Sequence, residues 1–500
     1  MQDIKIWEEK IREKVYKTNF RDFLKSVGAW QGVNFYKDSG IISIYPKSNR
    51  VGNVITPTSF EENINKNTDY GIEYNFEKTF FENYQLLFKN IPLMSIRLIP
   101  PAINSDYSEV SGWGVKNCYL CIGVCIDSEN ILYSFEVKEN CKNVLNSVMV
   151  WDNCENVYQS NSVLKSSNIF FSRFILNSTN IYFSSNLIGC HNCVFCDGIE
   201  NMSYCIKNKK YSKEEYEKEI KAILKHKNLF YKWFSEKTNH KGENLVSKKT
   251  TGSYITNSDN VENGYYSYNI KDGRNVILTG AKDGNKNIFN VIMSGAPNLD
   301  DCFNAINSGW GGNIYCSDTI AEGHSIYYSY LLQNCSFCLG CIGLKNKSFC
   351  ILNKQYSKEE WYELANKIFS QMDKDGILGD FFPGELNPFY FNDTMAYLID
   401  DSFTKEEVEK DGFIWRDEKI KVDIPENAEI VETKNLSSFQ GFESNGNWQI
   451  NPEILKKVIK DENGNIYKII PMEYEFLMKH GLPLPEIHWL DRIKLGFKFK

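Results

Sequence analysis

Two sets of cysteines carry the most obvious chemistry in this chain. Cys190, Cys193, Cys196 and Cys205 recur as Cys335, Cys338, Cys341 and Cys350 at a constant offset of 145 residues. Thiolates at that spacing suit zinc or an iron–sulfur cluster. A second candidate is acidic. Asp300, Asp301 and His324 supply two carboxylates and an imidazole, the usual means of general acid–base catalysis. The remaining motifs are weaker. The six histidines are scattered, and no H-E-x-x-H occurs. GAKDGNK at 280–286 lacks the spacing of a phosphate loop, and GWGGN at 309–313 reads as a turn. The run from Lys207 to Lys213 reads as a solvated cationic face.

These residues sit inside a repeat. Asparagine recurs every 12 or 13 residues at Asn117, Asn130, Asn143, Asn156, Asn168, Asn180 and Asn192. One residue later come Cys118, Ile131, Val144, Val157, Ile169, Ile181 and Cys193. Four later come Cys121, Ser134, Ser147, Ser160, Ser172, Ser184 and Cys196. Seven later come Val124, Val137, Val150, Val163, Ile175, Leu187 and Ile199. A fixed period of this kind marks a β-solenoid, with equivalent residues stacked about 4.8 Å apart. Asparagine suits a left-handed turn, the Ser/Cys slot a narrow interior corner, and the aliphatic slot the core. One repeat is either a whole narrow coil or half of a coil of about 25 residues, as in right-handed β-helices. The many large aromatics favour the wider coil. On this reading the Cys sets fill slots that Ser, Val or Ile hold elsewhere, which makes them small packing residues and not ligands. No metal and no cofactor is expected, with the eight thiols above as the ligands if a metal binds.

The pattern restarts at Asn275-Val276, Asn287-Ile288 and Asn313-Ile314, with Thr279 and Ser317 in the small slot. Each block ends in YSKEE, where Ser212 with Glu215 and Ser357 with Glu360 form capping boxes. The helices that follow are expected to cover open solenoid edges. The fold class is therefore mainly β with flanking helices: two tandem β-solenoid blocks arising from internal duplication, each followed by a capping helix. The expected boundaries are a helix-and-loop cap at 1–110, a first solenoid at 111–210 and a helical connector at 211–250. A second solenoid at 251–356, a capping helix at 357–375, an irregular linker at 376–450 and a C-terminal segment at 451–500 complete the chain. Ile4, Trp7, Ile11 and Val15 mark one face of an N-terminal helix, and Tyr84, Leu87 and Phe88 mark a helix on the first rung. Thr404 with Glu407 marks a third cap.

Composition excludes several classes. The chain has 500 residues, 42% hydrophobic and 24% charged, which is the balance of a globular multidomain protein. A net charge of −7 argues against a chain built to coat nucleic acid. No run of 18 apolar residues predicts a membrane span. Fifteen cysteines without an export signal point to reduced thiols in the cytoplasm.

Two resemblances follow from these residues. DDCFNAINSG…NIYCSDTIAEGHS resembles the DDC…INSG…GHG region of polygalacturonase-type β-helix hydrolases. That likeness implies paired-Asp glycoside cleavage by Asp300 and Asp301 with His324. The extra Asn304, the missing N-T-D and the distant Arg-Ile-Lys at 492–494 depart from it. Over about residues 41–494 the chain resembles the cysteine-rich, Asn-anchored repeat proteins of candidate-phyla-radiation bacteria. The likeness rests on ISIYPKSNRV, FFENYQLLFKNIP, the YSKEE endings, FFPGELNPFYFNDT, GFIWRDE and YKIIPMEYEFLMKHGLPLP. Members often end in zinc ribbons. Here Asp461, Glu462, Asn463, Gly464, His488 and Trp489 stand where ribbon cysteines would be, so terminal zinc is not expected. The function this predicts is a non-catalytic scaffold that binds a macromolecule, either a protein or a nucleic-acid or ribosome-associated partner. A carbohydrate-active enzyme using Asp300, Asp301 and His324 is the alternative.

Overall fold

The computed structural model describes residues 2–47, 50–236, 244–294, 299–418, 424 and 428–497. Its core is a β-solenoid of about 20 turns with flanking helices. Strands between 98 and 210 form one sheet system, and strands between 248 and 355 form another.

The coil is narrow. Ile169 pairs in parallel with Ile181, and Ile181 with Cys193, so residues one repeat apart are direct neighbours. Each repeat is thus a complete coil, and the wider coil expected from the aromatic content is not formed. The backbone shows how 12 residues close a turn. Every third residue adopts a left-handed conformation, as at Asn168 (φ 55°), Phe171 (51°), Phe174 (56°), Asn177 (50°) and Asn180 (56°). Two extended residues and one left-handed corner make a side, and four sides make a coil. The 13-residue coils hold their extra residue at a doubled corner, Glu139/Asn140 or Asp152/Asn153.

The residue after each corner points inward, giving four interior columns. In one coil they are Ile169, Ser172, Ile175 and Ser178, all buried. Aliphatic side chains face each other across the coil and serines fill the other two columns. The serines do more than fit. Ser172 Oγ donates to the Phe170 carbonyl (2.9 Å) and accepts from the Ser184 amide (3.2 Å), while the Ser172 amide donates to Ser160 Oγ (3.0 Å). Cysteine can stand in, since the Ser166 amide donates to Cys154 Sγ at 3.4 Å. Outside the corners, an asparagine ladder runs unbroken from Asn104 to Asn192, each Nδ2 donating to the next Oδ1 at 2.9–3.1 Å. Asparagine tolerates the left-handed backbone with little strain, and the ladder offsets what strain remains.

Aromatic side chains lie outside the coil. Phe289, Phe303, Tyr315 and Tyr327 stack one per coil with nearly parallel rings. Phe171, Phe183 and Phe195 do the same on the first stretch, and Phe230 meets two of them edge-on. Flanking helices bury these ladders. The second stretch swells between Asn275 and Asn290, which are 15 residues apart yet hydrogen bonded. Three extra residues move the motif by one corner. Asn275 therefore shares a ladder with Asn263, Asn290 and Asn304, and not with Asn287 and Asn313 as the restarted pattern suggested. Val276 and Thr279 shift with it.

The flanks divide into two units that the order of the chain does not suggest. One comprises residues 1–98 and 242–417, the other 99–241 and 418–500. The helix Phe80–Asn90 does not sit on the first rung of the first stretch. Phe80 packs on Tyr328 and Phe88 on Tyr330, both in the second stretch. Buried Arg97 ties the same segment to Asp318 at 3.1 Å and to Gln31 at 2.8 Å. Helix Gln2–Tyr16 buries Ile4, Ile11 and Val15, and Trp7 donates to Asn366 of helix Lys358–Lys374. Both capping boxes form, at Ser212/Glu215 and Ser357/Glu360, and Thr404 caps helix Lys405–Lys410. Trp361 donates to the Cys350 carbonyl and packs on Phe337 and Phe349, so the second helix lies against the last coils of that stretch.

The C-terminal segment packs on the first stretch: Phe476 stacks on Tyr158, and Arg492 pairs with buried Glu473. Where ribbon cysteines would stand, Asp461 accepts from the Asn465 and His488 amides (2.8 and 3.1 Å), which ties the two turns together directly.

The corner bonds make a sharp test. Ser172→Val removes a buried donor and acceptor at once and should cost about 3 kcal/mol in urea-denaturation stability, whereas Ser172→Cys should cost about 1 kcal/mol or less.

Candidate functional site

A groove of about 1040 Å³ runs along one face of the second coil stretch, wholly within one unit. The coil period builds it. Lys286, Asp300, Gly312 and His324 are successive partners in the parallel ladder, and Lys248 pairs with Asp259 further along. Outward positions of a narrow coil form columns, so one face acquires a row of side chains at the coil rise of about 4.8 Å.

All three acid–base candidates, Asp300, Asp301 and His324, line this groove. Gly312, between Asp300 and His324, has no side chain, and a Cβ there would lie 3.6 Å from the His324 ring. Gly311 is required by packing, since a Cβ would come within 2.1 Å of the Gly323 carbonyl oxygen. GWGGN is therefore more than a turn: its glycines open the groove and Trp310 lines it. Asp300 pairs with Lys286 at 2.9 Å, and Asp301 lies 3.6 Å from Arg12. Arg12 also donates to Tyr315 Oη at 2.8 Å, and nearby Glu8 accepts from Tyr327 (2.6 Å), with burial pushing the Glu8 carboxyl up. The reading of the sequence did not include Lys248, Asp259, Lys271 and Lys286, and GAKDGNK at 280–286 was weighed only as a phosphate loop. The signal was the recurrence of charged residues of both signs at intervals of about one coil.

The cysteine sets lie elsewhere. All fifteen cysteines are free and buried. Cys190, Cys193 and Cys196 occupy successive inward corners of one coil, with Cys205 paired above Cys193. Cys335, Cys338, Cys341 and Cys350 repeat the arrangement, Cys350 above Cys338. The central thiols Cys193 and Cys338 are held protonated by hydrogen bonding to their neighbours and by burial. Burial likewise pushes Cys125 up to about 12. Among the described residues no group of three or more His, Cys, Asp or Glu side chains is placed to hold a metal ion. The Lys207–Lys213 run contributes an exposed edge strand, Lys209–Lys210, antiparallel to the last coil of the first stretch. Among the described residues no helix is long and apolar enough to cross a membrane.

Comparison of the chain with protein-family models, with curated proteins and with solved structures finds no match.

Hydrogen bonding to Cys193 lowers the Cys190 thiol to about 7, so burial and not protonation is what keeps the fifteen thiols from a reagent. A thiol-reactive dye should label few or none of the cysteines in the folded protein and all fifteen after denaturation, as read by absorbance titration.

Proposed function

We propose that this protein is a non-catalytic solenoid scaffold whose groove holds an extended polypeptide segment of mixed charge. The observation that carries the reading is the row Lys248, Asp259, Lys271, Lys286 and Asp300, in which cations and anions are interspersed along one groove that His324 also lines. A partner complementary to such a row carries both signs at similar spacing. A nucleic acid would meet Asp259, Asp283, Asp300 and Asp301 along with the lysines, and each carboxylate would repel its backbone. A rigid solenoid face is suited to an extended ligand, because the site is fixed before binding. We place the scaffold in the cytoplasm, a reading supported by its fifteen unpaired thiols. The shared Cys and YSKEE endings support descent of the two coil stretches from one duplicated ancestor, and kinship with the Asn-anchored repeat proteins of candidate-phyla-radiation bacteria.

A polygalacturonase-like hydrolase is the second reading, favoured by the presence of Asp300, Asp301 and His324 in the same groove. One experiment separates the two. Immobilised short peptides of mixed, acidic or basic charge, single-stranded oligonucleotides and pectin are presented to the full chain. Selective, salt-sensitive retention on mixed-charge peptides is expected, weakened about tenfold by Lys271→Glu with Lys286→Glu. Release of reducing ends from pectin, lost in Asp300→Asn, would favour the hydrolase. Retention on none of the ligands would overturn the scaffold reading.

A further inference from the structure

A second cavity, of about 550 Å³, lies within the unit formed by residues 99–241 and 418–500. It is bounded by Lys227 and helix Leu229–Glu236, by the Pro-rich turn at 483–487, and by Gln159 of the first coil stretch. Neither the acid–base candidates nor the cysteines touch it.

Its walls are aromatic and fixed. Tyr231 Oη is hydrogen bonded to Tyr158 Oη at 2.7 Å and donates to the Pro483 carbonyl at 3.3 Å. Trp448 Nε1 donates to the Leu482 carbonyl at 3.0 Å. Both rings therefore stand in place before any ligand arrives. The polar groups are unevenly charged. Lys227 lies 5.0 Å from the Trp448 ring centre and donates to the Gly481 carbonyl, and Lys232, which is 3.8 Å from Glu236, lies on the same wall. Arg492 also borders the cavity, but its charge is answered by buried Glu473 at 3.3 Å. Among the described residues Glu486 is the one anion in the lining, and burial pushes its carboxyl up toward the neutral form.

Gln159 adds an independent sign of a ligand. The residue is 1% exposed and its Nε2 donates to the Arg492 carbonyl, yet among the described residues its Oε1 accepts no hydrogen bond. A buried acceptor without a donor costs about 1–3 kcal/mol, and a bound molecule with an N–H or O–H group would remove that cost.

We propose that this cavity binds a small planar anion: an aromatic ring bearing a carboxylate or a phosphate. The ring lies against Trp448 and Tyr231, the anionic group meets Lys227 and Lys232, and a ring donor reaches Gln159. Cavities of this size and lining are typical of small-molecule sites, and a partly dehydrated ammonium is a stronger partner for an anion than one in water.

Lys227 supplies the decisive test. Burial lowers its ammonium to about 8, so its charge is present below that pH and lost above it. The groups around it are Tyr231 and Lys232 on its own wall, Glu486 on the Pro-rich turn, Arg492, and His480 beside Gly481. His480 is held down to about 4 by burial and stays neutral. Calorimetric titration of the full chain uses AMP and GMP for the phosphate arm, indole-3-acetate and 4-hydroxybenzoate for the carboxylate arm, and adenosine, guanosine and indole as neutral controls. An anion in at least one arm should bind about tenfold or more tighter than its neutral counterpart. Its affinity should fall as the pH is raised from about 7 to about 9, where a phosphate keeps its charge. Lys227→Met should weaken binding by about tenfold, and Lys227→Arg should bind with a flat pH profile. If the Met variant does not fold, the Arg variant's profile decides. No saturable binding in either arm, equal binding of the neutral controls, or an unchanged pH profile in Lys227→Arg would overturn the proposal.

Discussion

A backbone that turns through a left-handed corner at every third residue cannot satisfy all of its amides from the neighbouring coil's carbonyls. At two of the four corners the amide is met by a side chain, and the side chain must be short, buried and able to accept. Serine does this along the Ser147, Ser160, Ser172 and Ser184 column, each amide donating to the preceding hydroxyl at 3.0–3.2 Å. That requirement sets the composition of the interior. Two columns carry mainly Ser or Cys, and two carry mainly Val, Ile or Leu with Cys at positions such as Cys118, Cys193 and Cys338. Cysteine enters these columns as a substitute acceptor and small hydrophobe, while Cys125 and Cys316 are buried outside them, Cys316 beside Asn304 of the outer ladder.

A coil this thin has too little interior to stabilise itself, and the rest of the protein follows from that. Its aromatics face outward and stack from coil to coil, leaving apolar strips that water would otherwise meet. The flanking segments cover them. Residues 1–98 pack on the second stretch through Phe80, Phe88 and Arg97, and the C-terminal segment packs on the first through Phe476 and Arg492. Each stretch has a charged or polar face that stays open. The groove with Asp300 and His324 and the cavity beside Lys227 both arise where flank and coil, or successive coils, leave a gap.

Much of this was legible in the residues themselves. The asparagine period gave the solenoid and its ladder, and the S-x-x-E pairs gave the helix starts. The Ser slots identified the tight corners and let the Cys sets be read as packing. The coil size was not legible, because so many large aromatics were expected to need a wider coil, when they stack in ladders on the surface of a narrow one. The pairing of the N-terminal region with the second stretch was hidden because it depends on Arg97 finding Asp318, a contact across 221 positions. The groove was half visible. Asp300, Asp301 and His324 stood out, but Lys286 fell in a segment tested only as a phosphate loop, and Trp310 in one that read as a turn. A three-residue insertion moves a motif to the next corner without breaking its pattern, so Asn275 aligned with the wrong column.

The most direct measurement is of which residues are neighbours along the solenoid axis. Asn168 and Asn180 are hydrogen bonded in adjacent coils, and Asn192 is one coil further on. Cysteines placed at 168 and 180 would lie within the Cα separation of about 4.4–6.8 Å that a disulfide needs. Mild oxidation, read by mass spectrometry, should join the Asn168→Cys, Asn180→Cys pair and leave the Asn168→Cys, Asn192→Cys pair open. The reverse outcome would mean that two repeats make one coil, and the four-cornered turn would be wrong.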